Sequence, residues 1–372
     1  MRATSLRHPG ISRLTILTPA YPPAVGGVEK HVSRLVDEFV RIGIQVEVVT
    51  NKGEPNPRSA TSKQSGVRVH RVTGSSGRGG KISSLRSIIR MWTFLAKHLQ
   101  LLQTADAVQT EEWTSFLWIF PFLLLTTRPR IIVFHGYEKY PVPKLVKIIR
   151  TVASLSMDAR VDVGNYLSKW YGGTPDMVEF GAVDLPEGGS IEPPEDEVAY
   201  IGRLEEDTGI MQYVESLNIL KSKHGLHFHL NICGNGSLKP AIDSYVRRHD
   251  LDVRLLGSLS NPRPILRKAK YAFVGGYLSL LEAMAERRPA FAIYNNPLKY
   301  DYFSMMPNIS RMLFLAADAD QLADVIAQCK RDERQMRQKV EVAYDFASNH
   351  SWERLASRYV ELYCRKRSSL GK

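Results

Sequence analysis

One stretch, residues 271–294, constrains the fold of this chain more than any other. An apolar run at 271–274 is followed by a glycine pair at 275–276, a helical segment at 278–286 and a second apolar run at 290–294. Strand, glycine turn, helix and strand make a βαβ unit, in which the two strands are parallel. Ligands bind open sheets of this kind where strands end and helices begin. The stretch therefore predicts a fold class and also the place of a site.

The same alternation of apolar runs and amphipathic segments continues along the chain in two series. The first predicts strands at 14–18, 46–50, 67–72, 105–110, 130–136 and 159–163. The second predicts strands at 198–201, 227–232, 254–256, 271–274, 290–294 and 312–315, with helices between them. Strands that alternate with helices form parallel sheets through right-handed crossovers. We therefore expect an α/β protein with two doubly wound, Rossmann-like domains.

A change in composition separates the two series. Residues 186–197 are rich in Pro, Glu and Gly, which is typical of a linker. We expect an N-terminal domain at 1–185, a C-terminal domain at 198–345 and a final helix within 346–372.

Composition and charge limit the functional classes. The chain of 372 residues is 44% hydrophobic, and its three cysteines are too far apart to indicate a zinc site or a disulfide scaffold. The net charge of +12 is concentrated in residues 1–190, which hold 24 Lys and Arg against 15 Asp and Glu. A basic surface attracts nucleic acid, anionic lipid or phosphorylated substrates. Because no DNA- or RNA-binding motif is present, we expect no nucleic-acid partner and favour the other two.

Three segments bear on where the protein resides. Residues 1–13 lack the apolar core of a signal peptide, so we expect a cytoplasmic protein. The apolar run at 116–125 is too short to span a bilayer, and we expect it within a buried helix at 113–125. Basic and apolar residues alternate in the helix expected at 82–102, which suits a peripheral anchor on the inner, anionic face of a membrane. A core helix with a solvated basic face is the alternative for these basic residues, namely Lys81, Arg86, Arg90 and Lys97.

Two candidate site positions follow predicted strands in the first half. Gly26 and Gly27 precede a helix, and paired glycines let the backbone approach a ligand and present N–H groups to a phosphate. A tight turn without a ligand is the alternative. His135 closes the strand at 130–136, where an imidazole can donate to a substrate oxygen or transfer a proton. A purely structural histidine is the alternative there.

Two further candidate positions follow predicted strands in the second half. A guanidinium at Arg203 suits bidentate binding of a phosphate, and a surface ion pair with the acidic residues 205–206 is the alternative. Gly275 and Gly276 open a helix, whose N-terminus favours an anion. That helix carries Glu282, and carboxylates in nucleotide sites accept hydrogen bonds from ribose hydroxyls. The alternative for Glu282 is a solvated acid on a helix face.

The order of these positions resembles that of glycosyltransferase family 4 over nearly the whole chain. The strongest likeness lies in Tyr21-Pro-Pro-x-x-Gly-Gly-Val-Glu-x-His31 and in Glu282-Ala-Met-Ala285. Shorter segments agree with other landmarks of the family: Phe134-His-Gly136, Phe180-Gly-x-Val-Asp184, Tyr200-Ile-Gly-Arg-Leu204, Gly234-Asn-Gly236 and Leu256-Gly257.

The resemblance implies a fold and an activity. The fold is GT-B, in which two Rossmann-like domains face a central cleft. The N-terminal domain binds the acceptor, the C-terminal domain binds the nucleotide sugar, and the last helix packs back towards the N-terminal domain. The activity is transfer of a hexose from a UDP- or GDP-sugar to a lipid-linked or polysaccharide acceptor, with retention of configuration, as in polysaccharide biosynthesis. No cofactor is expected, because the nucleotide sugar is the donor substrate. No metal is expected either, because the sequence shows no cluster of metal ligands and members of this family generally need none.

The resemblance also implies a role for each candidate residue. Gly27, with Gly26, would offer backbone N–H groups to the diphosphate, and Arg203 would neutralise its charge. Glu282 would hold the ribose hydroxyls, and His135 would contact the transferred sugar near its anomeric carbon. His135 and Arg203 are therefore the expected catalytic residues.

Three positions depart from the pattern of the family, one of them Arg287, where a glycine usually follows the segment 282–285. A glutamate usual eight residues before Glu282 is Val274, and a lysine usual five residues after Arg203 is Thr208. Lys299 is a candidate for the missing cation, although we expect its side chain to be exposed. These departures leave two alternatives open: a degenerate GT-B protein that binds a nucleotide or a partner without turnover, and a nucleotide-sugar epimerase on the same fold.

Overall fold

The computed structural model describes residues 10–24, 26–51, 61–64, 66–72, 81–136, 139–186, 196–259 and 261–370, except for the side chains of 61–64 and 81–84. The chain forms two compact units. Unit 1 comprises Met1–Glu179 and Trp352–Lys372, and unit 2 comprises Phe180–Ser351. The boundary between the units precedes the predicted linker, whose residues 187–195 lie outside the described part of the chain.

Unit 1 is built on a mostly parallel sheet flanked by helices. Its strands are β1 Arg13–Thr18, β2 Gln45–Thr50, β3 Thr61–Gln64, β4 Val67–Arg71, β5 Ala107–Glu111, β6 Arg130–Phe134, β7 Ala159–Val163 and β8 Met177–Glu179. Its helices before unit 2 are α1 Gly27–Arg41, α2 Lys81–Lys97, α3 Gln100–Gln103, α4 Glu112–Ile119, a 3-10 helix Phe120–Leu125, α5 Lys144–Ser156 and α6 Tyr166–Tyr171. The strand order is β3-β4-β2-β1-β5-β6-β7-β8, and β3 runs antiparallel to β4.

Unit 2 is a six-stranded parallel sheet with helices between the strands. Its strands are β9 Glu197–Ile201, β10 His229–Cys233, β11 Val253–Gly257, β12 Tyr271–Val274, β13 Ala290–Ile293 and β14 Leu313–Ala316, in the order β11-β10-β9-β12-β13-β14. Its helices are a 3-10 turn Glu206–Thr208, α7 Ile210–His224, α8 Lys239–His249, α9 Arg263–Lys268, α10 Tyr277–Ala285, α11 Pro297–Ser304, a second 3-10 turn Ile309–Arg311, α12 Ala319–Arg331 and α13 Glu333–Ser348.

The last helix, α14 Trp352–Leu370, belongs to unit 1 although it follows unit 2 in the chain. It packs on α1 through Tyr359 and Tyr363, whose rings lie 6.4 and 6.0 Å from the ring of Phe39. All three side chains are fully buried. The apolar face of α1 that carries Phe39 is therefore buried in a core to which α14 contributes.

The predicted α/β class with two doubly wound sheets is confirmed. The helices α11 and α13 and the strands β3 and β8 were not predicted from the pattern. β3 consists of four polar residues, Thr61–Gln64, and so lacks the alternation that marks a strand. The buried helix expected at 113–125 is wrong in its second half, because α4 ends at Ile119 and a 3-10 helix follows. Leu124 in that segment is 96% exposed.

In each sheet the strand order reverses beside the first strand of the unit, between β1 and β5 in unit 1 and between β9 and β12 in unit 2. Ligands bind doubly wound sheets at the carboxyl ends of strands near such a reversal. Gly26 lies beyond β1, His135 follows β6, Arg203 follows β9 and Gly275 follows β12. The fold therefore places the predicted site residues of each unit at the edge of its sheet where ligands bind.

Candidate active site

In unit 2 the fold brings Arg203 and the glycines Gly275 and Gly276 to the same edge of the sheet. β9 and β12 are neighbouring parallel strands, and Ile201 pairs with Val274 in their register. The chain leaves both strands at this edge, just before the loop that carries Arg203 and the turn that carries the glycines.

Gly275 and Gly276 permit close packing around the turn. A Cβ on Gly275 would lie 3.3 Å from Oη of Tyr200 and 3.5 Å from Cβ of Thr208. A Cβ on Gly276 would lie 3.2 Å from Oη of Tyr302. Since a side chain at either position would crowd these neighbours, the glycines fix where the turn sits relative to them.

The first N–H groups of α10 already have partners within unit 2. The amide of Tyr277 donates to Oη of Tyr302 over 2.8 Å, and the two rings are stacked with centroids 4.1 Å apart. The amide of Gly276 donates to Oγ of Ser279 over 3.3 Å. An anion at this turn would therefore depend on side-chain cations more than on the amides of 276 and 277.

Arg203 is accessible and lies on an ordered loop. Its side chain is 59% exposed, and its terminal nitrogen lies 2.6 Å from Oδ2 of Asp207. The ion-pair partner is thus Asp207, and not residue 205 or 206 as in the alternative interpretation of Arg203. The hydroxyls of Tyr200 and Thr208 both donate to the carbonyl of Arg203, over 2.8 and 3.0 Å. The backbone is held while the guanidinium remains available to a ligand that displaces Asp207.

Lys299 is buried, so the expectation of an exposed side chain is wrong. It is 4% exposed, and its Nζ donates to the carbonyl of Gly275 over 2.7 Å. Nζ also lies 4.8 Å from the ring centroid of Tyr302. Burial lowers the pKa of Lys299 to about 8, with the positive charge of Arg203 acting in the same direction and Asp207 opposing them. A second cationic group therefore adjoins the glycine turn.

Glu282 lies in the second turn of α10, between the buried residues Leu281 and Ala283. Its own side chain is only partly buried. At 1.5 Å of rise per residue, it is roughly 8 Å along the helix from the start of α10. This position fits a group that contacts a ligand extending from the turn along the helix.

His135, the candidate in unit 1, belongs to a buried cluster of histidines and glutamates. Its Nε2 lies 2.5 Å from Oε2 of Glu111, at the end of β5. Its ring lies 4.7 Å from the ring of His31 on α1, and Nε2 of His31 lies 2.7 Å from Oε1 of Glu179. Burial opposes protonation of His135, but Glu111, followed by Glu112 and Glu179, outweighs it, so its pKa is raised. The cluster therefore favours a protonated His135 that can stabilise negative charge.

Glu112 holds the backbone that carries His135. Its carboxylate accepts from the amide of His135 over 2.6 Å, from the amide of Gly136 over 3.0 Å and from Arg150 over 2.9 Å. Glu112 has a φ of 66°, a conformation that costs a non-glycine residue about 1–3 kcal/mol and that clusters at functional sites. Sequence reasoning missed Glu111 and Glu112, although two consecutive acids at the end of an apolar strand were visible.

Gly26 and Gly27 lie at the start of α1, which also carries His31 towards His135. A Cβ on Gly26 would clash with Oε2 of Glu29, at the end of a flexible side chain. An anion bound here would need that carboxylate to move. Gly26, Gly27 and His135 belong to unit 1, whereas Arg203, Gly275, Gly276 and Glu282 belong to unit 2.

Two kinds of feature are absent from the described residues. No group of three or more His, Cys, Asp or Glu side chains there could hold a metal ion. No helix in the same part of the chain is both long enough and apolar enough to cross a membrane.

Comparisons with known proteins agree with this architecture. Residues 25–163 match the model of the family described as Glycosyltransferase Family 4. A comparison with curated protein sequences finds no match. Among solved structures, a sucrose-phosphate synthase from Thermosynechococcus elongatus is similar at 17% identity and a TM-score of 0.78, over 96% of this chain and 100% of that one.

Two further solved structures carry ligands. A mutant of TarM from S. aureus, in complex with fondaparinux, alpha-GlcNAc-glycerol and UDP, is 14% identical with a TM-score of 0.72, over 95% of this chain and 100% of that one. Anabaena HepE in complex with UDP and glucose is 13% identical with a TM-score of 0.71, over 94% and 99%. The chain therefore has the GT-B fold, and its residues 25–163 match glycosyltransferase family 4.

Proposed function

We propose that the protein transfers a hexose from a UDP- or GDP-sugar to a lipid-linked or polysaccharide acceptor with retention of configuration. The observation that carries this proposal is that Arg203 and the glycine turn lie together at the carboxyl ends of β9 and β12. A guanidinium at such a point suits the diphosphate of a nucleotide sugar. UDP is present in the similar structures of TarM and HepE, which makes it the first donor to test.

The chemical step requires charge stabilisation on the departing nucleoside diphosphate. Preorganised cations supply this stabilisation without reorganisation during the reaction. Arg203 would bind the diphosphate after leaving Asp207, to which it is now paired over 2.6 Å. Glu282 would accept hydrogen bonds from the ribose hydroxyls, because its carboxylate has only acceptors to offer. Gly275 and Gly276 would let the diphosphate approach the backbone.

His135 would contact the transferred sugar. Its hydrogen bond with Glu111 fixes the ring, and the raised pKa favours a donor form. A protonated imidazole near the anomeric carbon would donate to a sugar oxygen or to the leaving group. In unit 1, Gly26 and Gly27 would offer backbone contacts to the diphosphate once the carboxylate of Glu29 has moved.

A peripheral membrane location would suit a lipid-linked acceptor. α2, α5 and the 3-10 helix Phe120–Leu125 all pack on α4. The three of them expose apolar side chains, namely Leu85, Ile89, Phe120, Leu124, Leu125, Leu145, Ile148, Val152 and Leu155. Segments 81–105, 113–136 and 139–157 contain no Asp or Glu. Apolar side chains among basic ones, without acidic residues, suit the surface of an anionic bilayer. We call this set of exposed apolar residues the basic-apolar face.

Turnover of sugar nucleotides tests the proposal. Wild-type protein is incubated with a panel of UDP-, GDP- and ADP-sugars, and nucleoside diphosphate and free sugar are measured, with Glu282→Gln as the matched variant. We expect slow hydrolysis of one donor by the wild type and a clear loss in the variant. A nucleotide that binds without any release of sugar supports a degenerate GT-B protein instead, and an epimerised sugar nucleotide supports an epimerase.

A further inference from the structure

We infer that Lys299 is a second diphosphate-binding residue, which brings an ammonium group to the glycine turn from α11. This inference rests on the proposed function, because it needs a nucleoside diphosphate at that turn. It assigns to a buried side chain a role in recognising the donor's charge.

Thr208 and Lys299 contact the same glycine from different elements. Cβ of Thr208 lies 3.5 Å from where a Cβ on Gly275 would be, and Nζ of Lys299 lies 2.7 Å from the carbonyl of Gly275. Lys299 therefore brings a cation to the glycine that position 208 also adjoins. The hydroxyl of Thr208 instead donates to the carbonyls of Arg203 and Glu205, over 3.0 and 2.7 Å.

The ammonium group of Lys299 lies near an aromatic ring and is influenced by two charged side chains. The charges that act on it come from Asp207 and Arg203, both on the 203–208 loop, and its own helix contributes Tyr302. Asp207 is the partner of Arg203, so a diphosphate that binds Arg203 would take over the place of that carboxylate. The diphosphate would then replace the negative charge of Asp207 that acts on Lys299.

Burial of the charged side chain of Lys299 has a cost in free energy. Burial of a lysine disfavours its charged form, which the lowered pKa of Lys299 reflects. An apolar residue would fill the same volume without that cost. A bound anion reverses the balance, because an opposite charge nearby favours the protonated amine. Binding of a diphosphate near pH 8 should therefore be accompanied by proton uptake at Lys299.

Lys339 provides a matched control within unit 2. Its Nζ also donates to backbone carbonyls, those of Ser310 and Leu313, and lies 4.8 Å from the ring of Phe314. Burial also lowers its pKa. Lys339 is on α13, and the carbonyls that it contacts lie around the start of β14 instead of at the glycine turn. The two lysines therefore have similar contacts and similarly lowered pKa values, but Lys299 adjoins the glycine turn and Lys339 does not.

Titration calorimetry tests the inference, with UDP, UMP and uridine as probes, and GDP with its nucleoside if the wild type prefers it. The variants are Lys299→Met, Lys299→Arg and Lys339→Met. Losing one charge-assisted hydrogen bond should weaken UDP binding about 10- to 100-fold in Lys299→Met. Uridine affinity should not change, and Lys299→Arg and Lys339→Met should bind UDP much as the wild type does.

Proton uptake is measured on the wild type at pH 8 in two buffers of different ionisation enthalpy, so one test does not depend on how a variant folds. We expect uptake with UDP, none with uridine, and none with UDP in Lys299→Arg, since arginine stays charged. Unchanged UDP affinity in Lys299→Met, or no uptake by a wild type that binds UDP, would overturn the inference alone. A wild type that binds no nucleoside diphosphate would overturn the proposed function as well.

Discussion

The burial of Lys299 has a consequence for stability that does not depend on any ligand. Its pKa is about 8 in the folded protein against 10.5 for an unperturbed lysine. At about 1.4 kcal/mol per pKa unit, the charged side chain makes folding less favourable by about 3 kcal/mol at neutral pH. Between pH 8 and 10.5 the unfolded chain binds more protons at this group than the folded chain does, so stability from this group rises with pH.

Replacing Lys299 with methionine removes this dependence. Because other groups also titrate, the measured quantity is the difference in free energy of unfolding between Lys299→Met and the wild type. That difference should favour the variant at pH 7 and should shift towards the wild type by about 2 kcal/mol by about pH 10. Urea unfolding at pH 7, 8, 9 and 10 measures it, with Lys339→Met in parallel. A difference that is constant across this range would refute the burial of a chargeable amine at 299.

Three other predictions follow from the proposed site and the basic-apolar face. Glu282→Gln should lower nucleotide affinity about tenfold or more by calorimetry, because hydrogen bonds to ribose lose their charge, while the melting temperature without ligand barely changes; a large change in melting temperature would favour a structural role. Arg203→Ala should weaken UDP binding and leave uridine binding unchanged; equal losses for both would remove its assignment to the diphosphate. Leu155→Glu, at a side chain 83% exposed on α5, should reduce recovery with anionic vesicles in flotation, whereas Leu370→Glu on α14 should not; equal recovery of the wild type with neutral and anionic vesicles would contradict a membrane-binding face.

The alternation of apolar runs was sufficient to predict the two sheets, because buried parallel strands are nearly continuous in apolar residues. The βαβ unit at 271–294 is reproduced by β12, α10 and β13 within a residue or two. Arg203 and the glycine turn lie at the ends of neighbouring strands, as the pattern indicated, because the carboxyl ends of parallel strands meet at one edge. Their role in a site stays a prediction.

The surroundings of the site could not be predicted in the same way. α11, Pro297–Ser304, has buried Leu298, Lys299, Asp301, Tyr302 and Phe303, so its pattern lacks the polar face that marks a surface helix. For this reason the sequence predicted an exposed side chain at Lys299, which the structure buries. The contact between His135 and Glu111 depends on the pairing of β5 with β6, which joins residues far apart in sequence.

The most direct test of the account is hydrogen exchange of the wild-type protein with and without saturating UDP or GDP. We expect slower exchange in peptides that cover 203–208 and 275–282, where the diphosphate and ribose are expected to bind. Exchange within α13, residues 333–348, should not change. Saturable binding that leaves both of these segments unprotected, or no binding of any nucleoside diphosphate, would contradict the placement of the donor at this turn.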